Sequence, residues 1–241
     1  MQNKTLKTID DQLTLFHSKM VKIVRKWAKD KSFYEYNDSD SDSDVVRYHF
    51  TGFQDELADC IYEGSKNRWT RSVRKAADEC GMKFVGAGRS RIALKVSYYG
   101  KPLIVKVSVA NEGKNNEREL KSIQRNLKVY PFVQKFMLAP LYYWKNKHWK
   151  TILAFPPALI VNKGEWDPDS VESMYDLRDQ MLPKKFVNEN VLRHLLAVNT
   201  LFNDVHGHNV GFRDGLPLMI DVDYGNNRKI NLKKMAKLGF S

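Results

Sequence analysis

Four polar residues able to do chemistry lie within six positions near the end of the chain, in the segment LFNDVHGHNVGF. They are Asp204, His206, His208 and Asn209, and apolar residues flank them on both sides. A carboxylate in such a loop can accept the proton of an attacking hydroxyl group. The side-chain oxygen of an Asn five residues later can bind a divalent metal ion. The segment therefore indicates either a group-transfer site or a set of metal ligands.

A second pair of carboxylates follows an apolar strand in the segment PLMIDVDYG. Asp221 ends the strand, and Asp223 lies two residues beyond it. A carboxylate at this point can bind Mg²⁺ that bridges the phosphates of a nucleotide. A hairpin turn at Asp214–Gly215 fits between Asn209 and the strand. We expect Asp221 to be the main metal ligand because it directly ends the strand, with Asp223 as the alternative.

Three further features precede these residues in the chain. Gly86 and Gly88 lie between two predicted strands, where glycines let backbone N–H groups approach an anion; a simple β-turn would have the same pattern. Lys106 lies within the apolar strand LIVKV and is costly to bury unless it is paired. The alternative places it on the solvent face of an alternating strand. Glu119 or Glu117, on the following helix, could reach back to the lysine, or could belong to a charged helix surface.

The elements that must position these residues follow a clear order. Apolar residues at steps of three and four predict an amphipathic helix over 4–30 that packs onto the rest of the chain. Further predicted elements are helices within 53–80, strands from Phe84 onward with a turn at YYGKP, a helix at 115–128, strands near Leu138–Tyr143 and Thr151–Phe155, and helices near 169–181 and 188–202. This order predicts an α+β fold with two lobes and a helical N-terminal extension.

Composition indicates the size of the core, the kind of partner and the location to expect for this protein. The chain has 241 residues, of which 42% are hydrophobic, and this is enough for a well-cored domain. Forty Lys and Arg against 28 Asp and Glu give a net charge of +12, which favours anionic partners such as nucleotides, nucleic acid or acidic protein surfaces. Two cysteines do not suggest a disulfide framework. Without a long apolar run or a signal sequence, we expect a cytoplasmic protein that does not enter a membrane.

The joint order of these features resembles the protein-kinase-like superfamily. The segments NDVHGHNVGF and LMIDVDYG are similar to the catalytic motifs of choline-kinase and aminoglycoside-phosphotransferase relatives. The order of CGMKFVGAGRSRIALKV, VKV and FNDVHGHN more closely resembles the early serine/threonine protein kinases of autographivirus-type bacteriophages. The resemblance covers roughly residues 80–225, and its catalytic half is the more specific part.

This resemblance implies a fold and a division of the chain. The expected architecture is a two-lobed protein-kinase-like fold with a reduced C-lobe, because only a short segment follows Gly225. Residues 1–80 would form the helical N-terminal extension, with a flexible acidic loop near 37–44. Residues 81–241 would form the kinase-like domain, in which the N-lobe ends at about residue 157 and the C-lobe occupies the remainder.

The resemblance also assigns a role to each matching residue, and it implies ATP and Mg²⁺ as cofactors. The implied roles are the catalytic base for Asp204, contact with the nucleotide phosphates for Lys106, an ion pair with that lysine for Glu119, approach to the phosphates for Gly86 and Gly88, and metal binding for Asn209 and for Asp221 or Asp223.

The expected activity is ATP-dependent phosphotransfer by a small phage-type serine/threonine protein kinase that modifies host proteins in the host cytoplasm. Its substrates would be acidic or nucleic-acid-associated proteins, and direct binding to nucleic acid is the less favoured alternative. Two other functions stay open: a phosphotransferase for a small molecule, and a catalytically silent protein that inhibits a host factor by binding. A metal-hydrolase site at Asp204, His206, His208 and Asp221 leaves Lys106 and the glycines unexplained.

Overall fold

The chain forms two compact units. A computed structural model describes residues 2–28, 68–87, 91–108, 114–160, 166–222 and 230–240. The first unit comprises Met1–Glu117 with Leu141–Phe155, and the second comprises Arg118–Pro140 with Pro156–Ser241. The predicted α+β class is confirmed as an N-terminal helix, a five-stranded antiparallel sheet, several helices and a small hairpin.

Helices and an antiparallel sheet make up the described part of the first unit. The elements are α1 (Gln2–Ala28), α2 (Arg68–Glu79), β1 (Lys83–Ala87), β2 (Arg91–Tyr98), β3 (Lys101–Ser108), β4 (Tyr142–Asn146) and β5 (Lys150–Phe155). Helix α3 (Lys114–Val129) begins in this unit and continues into the second. The strands lie in the order β1-β2-β3-β5-β4, which makes β3 the central strand.

A tight turn sets the register of the central strand. Tyr99 and Gly100 connect β2 to β3 with φ angles of 49° and 76°. Two positive φ angles in a two-residue loop define a type I′ turn, whose twist matches that of the flanking strands. The predicted turn at YYGKP is thus confirmed, and Ala93 pairs with Lys106 across the ladder.

The apolar stripe of α1 packs against the sheet, as its spacing predicted. Ile9, Leu13, Phe16 and Met20 are each at most 1% exposed, and they share one core with the strands. Burying a large apolar side chain contributes about 1.5–3 kcal/mol. This stripe therefore anchors the helix to the sheet.

Polar contacts fix the position of α1 on this sheet. The carboxylate of Asp10 accepts hydrogen bonds from Trp144 Nε1 and Asn146 Nδ2, both at 2.8 Å. The indole Nε1 of Trp149 donates to the Leu13 carbonyl at 2.9 Å. Because buried polar groups need partners, these bonds favour one placement of the helix over a sliding apolar contact.

The second unit is mainly helical in its described part. After α3 it contains a 3₁₀ helix at Pro131–Phe136, 3₁₀ turns at Pro168–Ser170 and Lys184–Phe186, α4 (Met174–Asp179), α5 (Glu189–Leu201), the hairpin strands β6 (Val210–Arg213) and β7 (Leu216–Met219), and α6 (Leu232–Lys237). Helix α5 begins at its cap Asn188, whose side-chain oxygen accepts the Val191 N–H at 3.0 Å.

The hairpin of this unit forms at the turn that the sequence predicted. Asp214 and Gly215 have φ angles of 53° and 79°, again a type I′ turn. Main-chain bonds tie both strands to neighbouring segments. Leu138 N donates to Met219 O at 2.7 Å, and Leu159 exchanges two bonds with Phe212.

One strand and one helix have boundaries that differ from those predicted from the sequence. The strand expected near Leu138–Tyr143 begins only at Tyr142, because Leu138 is bonded to the hairpin and Pro140 has no N–H to donate. The helix expected over 169–181 is shorter and begins after Ser173, which forms a capping box. The helix predicted near residue 53 and the acidic segment 37–44 lie outside the described residues.

In the parts of the chain that the structure describes, no helix is long and apolar enough to cross a membrane.

Candidate functional site

The polar loop follows directly from the end of α5. Phe202 ends the helix with its N–H bonded to Val198 O, and Asp204 follows in the left-handed backbone region at a φ of 56°. Asp and Asn are the residues, apart from glycine, that most readily adopt this conformation. The turn gives the carboxylate of Asp204 an outward position, with 59% of the side chain exposed.

The side chain of Asn209 holds Asp204 in place. Its Nδ2 donates to the Asp204 carbonyl oxygen at 3.1 Å and to the carboxylate oxygen Oδ2 at 3.0 Å. A primary amide has two N–H donors, and Asp204 accepts both bonds, so the Asn209 oxygen is the atom that can bind a ligand. The Asp-x-x-x-x-Asn spacing thus corresponds to a direct contact in the structure.

The two histidines shape the same loop. The backbone N–H of His208 donates to His206 Nδ1 at 3.2 Å, so in the neutral imidazole Nε2 carries the proton. That Nε2 lies 3.7 Å from Asp204 Oδ1, within ion-pair range but beyond a hydrogen bond. Burial is the main cause that lowers the pKa of His208, and the charge of His206 lowers it further. The lowered pKa favours the neutral form of His208.

Asp221 lies at the other edge of this loop. The N–H of Ile220 donates to the Asn209 carbonyl at 2.8 Å, which extends the β6–β7 pairing by one step. Asp221 is the next residue and is half-buried. The ladder therefore places Ile220 opposite Asn209, with Asp221 one residue further along the chain. Asp223 lies outside the described residues, so the choice between the two carboxylates stays a prediction.

Gly207 allows the loop to pack closely against Trp166, and its spacing along the chain did not predict this contact. A Cβ at this position would lie 2.7 Å from the carbonyl oxygen of Trp166 and 2.9 Å from its Cδ1. Trp166 is only 2% exposed and has little room to move. A glycine between two histidines can indicate a position where a side chain is not tolerated. Only the fold reveals which residue it contacts.

Lys106 lies on β3 in the first unit. Its side chain points to the opposite face from Val105 and Val107, which are fully buried, and it is half-buried itself. The Nζ lies 4.6 Å from the centre of the Phe155 ring, a cation–π distance. Asn116 Nδ2 donates to the Lys106 carbonyl at 2.8 Å. The alternating strand is confirmed, but the lysine lies over an aromatic ring rather than fully in solvent.

Burial distinguishes the two glutamates of α3. Glu117 is half-buried, and its carboxylate lies 3.4 Å from Lys145 Nζ. Glu119 is 0% exposed. A carboxylate that is fully buried requires a cation or several hydrogen bonds to remain charged. This makes Glu119 the better match to a structural ion-pair partner, and its pairing with Lys106 stays a prediction.

Gly86 lies in β1 just after an irregularity. The ladder pairs Phe84 with Leu94 and Gly86 with Ala93, so Val85 is an extra residue that forms a β-bulge. A Cβ at Gly86 would meet no atom within 4 Å, which leaves open space next to the backbone. Gly88 lies outside the described residues.

The oxygen donors beside the loop suit a hard divalent cation. Mg²⁺ typically uses one or two carboxylates together with phosphate and water oxygens, and Asn209 and Asp221 would supply two protein oxygens. Within the described ranges, no three His, Cys, Asp or Glu side chains form a group that could hold a metal ion.

No protein-family model matches the sequence, and no curated protein matches it.

Proposed function

We propose that the protein is an ATP-dependent phosphotransferase, with a serine/threonine protein kinase as the favoured form. The observation that carries the proposal is the bonding of Asn209 to both the backbone and the carboxylate of Asp204. It holds an exposed carboxylate beside an amide oxygen suited to a metal ion. In phosphoryl transfer the protein mainly positions groups and stabilises charge, so such a fixed arrangement is what the reaction needs.

Asp204 would act on the attacking hydroxyl group. The hydroxyl oxygen forms a bond to the γ-phosphorus of ATP, and the bond from that phosphorus to the β–γ bridging oxygen breaks. ADP leaves with the electron pair, and the hydroxyl proton passes to the Asp204 carboxylate. The bond from Asn209 orients the carboxylate and leaves its remaining lone pairs available for the incoming proton.

Asn209 and Asp221 would hold Mg²⁺ on the phosphates. Bound there, the ion neutralises the charge that develops on the leaving oxygen. The bond between Ile220 N and Asn209 O pairs Asn209 with the residue that precedes Asp221, which supports their joint role. Asp223 remains the alternative ligand.

Lys106 and Glu119 have the positions that the proposed roles in nucleotide binding require. Lys106 lies on the third strand of the sheet, and the next helix carries the buried Glu119. Protein kinases likewise carry the phosphate-binding lysine on their third strand and its glutamate partner on the following helix. Gly86, which lies in β1, would let the backbone approach the phosphates, the role that the resemblance also gives to Gly88. These positions support a kinase-like arrangement of the sheet and the helix that follows it.

The favoured acceptor is the hydroxyl of a protein side chain. The net charge of +12 would attract an acidic or nucleic-acid-associated partner, whereas a small neutral acceptor gains little from it. By resemblance to the phage kinases, the substrates would be host proteins in the host cytoplasm.

A single transfer experiment tests the proposal. The purified chain is incubated with γ-labelled ATP and Mg²⁺, once with bacterial protein extract and once with a protein-free metabolite extract. A parallel reaction contains EDTA. We expect Mg²⁺-dependent label on serine and threonine of proteins. Label on a small molecule would identify the small-molecule phosphotransferase, and no Mg²⁺-dependent transfer in either extract would favour the silent inhibitor.

A further inference from the structure

A cleft of about 220 Å³ lies within the second unit, away from the loop that carries the proposed activity. It reaches the turn of the β6–β7 hairpin at Arg213, four residues beyond Asn209, which is about 13 Å along an extended strand. Its other walls come from helix α5 and from the 3₁₀ helix at Pro131–Phe136 with the residue that follows. We call it the hairpin cleft, and its lining includes Lys135, Met137, His194, Arg213, Leu216 and Leu218.

His194 is a buried polar residue of this lining. It is 8% exposed, and its ring lies against the rings of Phe136 and Phe240, at centroid distances of 5.6 and 4.9 Å. Its Nδ1 lies 3.0 Å from the carbonyl oxygen of Asn190. A carbonyl oxygen can only accept, so Nδ1 carries the proton of this bond. In the neutral ring Nε2 is therefore a hydrogen-bond acceptor.

The surroundings of His194 keep its ring neutral near neutral pH. Burial lowers its pKa below the ordinary value of 6.5, and the charges of Arg193 and Lys135 lower it further, although the bond to Asn190 acts in the opposite direction. His194 therefore presents an acceptor to the cleft rather than a further positive charge. A ligand that contacts Nε2 must bring an N–H or an O–H group.

The charged residues of the cleft suit a ligand with a single negative charge. Lys135 and Arg213 are exposed cations of the lining. Arg213 Nε lies 3.6 Å from a carboxylate oxygen of Asp214, which also lines the cleft. A guanidinium has five N–H donors, so the contact with Asp214 leaves others for a second carboxylate. Two positive charges and one negative charge match a monoanion better than a dianion.

Apolar side chains complete the lining and set the size of the ligand. Met137 and Leu218 are buried, and Leu216 is half-buried. An apolar cavity of about 150 Å³ can hold a benzene molecule. The hairpin cleft, at about 220 Å³, therefore has room for a six-membered ring with a few substituent atoms.

We infer that the hairpin cleft binds a small organic carboxylate that has an apolar ring and one hydrogen-bond donor. The carboxylate would contact Lys135 and Arg213, the ring would pack on Met137 and Leu218, and the donor would bond to His194 Nε2. Such binding needs no phosphotransfer, so this inference does not depend on the proposed activity.

The test titrates the isotope-labelled full chain with three probes and follows its amide signals by NMR, without ATP or Mg²⁺. The probes are para-hydroxybenzoate, para-methoxybenzoate, which lacks the O–H donor, and the methyl ester of para-hydroxybenzoate, which lacks the charge. Ligands of about ten heavy atoms bind in the millimolar range or tighter. We expect para-hydroxybenzoate to bind tightest, about 2–10-fold tighter than the methoxy compound and about 2–5-fold tighter than the ester.

Two variants assign these preferences to residues. His194→Phe keeps an aromatic ring between Phe136 and Phe240 but removes the acceptor, so it should bind the hydroxy and methoxy compounds equally. The double variant Lys135→Met and Arg213→Met should bind the carboxylate and its ester equally. Each readout is a ratio of two affinities on one variant, which cancels a general weakening caused by altered packing.

A charge-matched control replaces two exposed lysines of the same unit outside the lining, Lys184→Met with Lys237→Met. This control should keep both preferences. Its loss of the carboxylate preference would overturn the inference, because net charge alone would then explain the binding. The inference is also overturned if no probe gives saturable shifts at the cleft up to about 20 mM, or if the native protein does not prefer the hydroxy compound. These two results need no variant, so a folding defect in His194→Phe cannot obscure them.

Discussion

Replacement of Asp204 by Asn is the sharpest test of the proposed proton acceptor. The change removes the negative charge but keeps the size of the side chain. Asp204 has a φ of 56°, a conformation that Asn adopts about as readily as Asp. Alanine would add a backbone penalty of about 1–2 kcal/mol at this angle, which would confuse the loss of a proton acceptor with a distorted loop.

The expected effects on stability and rate are very different. The contact between His206 and Asp204 joins groups that are 45% and 59% exposed, at 3.7 Å, so its loss should change stability by about 0–1 kcal/mol at most. Asn209 can still donate to the backbone carbonyl of residue 204 and to the new amide oxygen. Loss of a positioned base slows a reaction by about 10²–10⁴-fold. Folding should therefore survive while transfer collapses.

Asp214 provides a matched control within the same unit. It also has a positive φ, 53°, and its side chain is 88% exposed. Asp214→Asn creates an Asn-Gly pair, which suits a type I′ turn as well as Asp-Gly does. This variant should keep its full transfer rate, because the Asp214 carboxylate holds no other group in the proposed site.

The assay combines initial transfer rates at saturating ATP with the dissociation constants of ATP and Mg²⁺, measured by calorimetry. We expect Asp204→Asn to bind both ligands nearly as the native protein does, with its rate lowered by about 10²–10⁴-fold. A rate within a few-fold of the native value would refute the role of Asp204 as proton acceptor. Loss of Mg²⁺ binding would instead make Asp204 a metal ligand, as in the metal-hydrolase alternative.

Further predictions concern other parts of the molecule. Lys106→Ala should weaken ATP binding by roughly 1.5–3 kcal/mol through loss of a charge-assisted contact, and unchanged affinity in calorimetry would contradict the assignment. Asp221→Asn should abolish Mg²⁺-dependent transfer with a native circular-dichroism spectrum, whereas full activity would favour the alternative carboxylate at position 223. Gly207→Ala should lower the free energy of unfolding in urea by about 1–3 kcal/mol, since the new methyl group would lie 2.7 Å from the Trp166 carbonyl. Burial lowers the pKa of His17 from 6.5 to about 4. Because the folded state favours the neutral ring, the free energy of unfolding should be higher above pH 6.5 and should fall as the pH drops towards 4. Unfolding curves measured at several pH values should show a smaller fall for His17→Gln than for the native protein.

Local sequence determined the features that depend on neighbours a few residues apart. The five-residue spacing of Asp204 and Asn209 corresponds to a direct side-chain contact. The pairs Tyr99–Gly100 and Asp214–Gly215 form the turns that their types predict, because few residues adopt two successive positive φ angles. The apolar steps along α1 likewise identified the face that is buried. In each case the pattern that carries the information lies within one element or one turn.

Only the tertiary structure decided what the buried side chains contact, and which of two similar polar residues is buried. Glu117 and Glu119 are equivalent in the sequence, yet one lies near Lys145 at the surface and the other is fully buried. The close contact of Gly207 joins residues 41 positions apart in the chain. Burial depends on partners that are distant in the chain, and spacing along a single element carries no information about them.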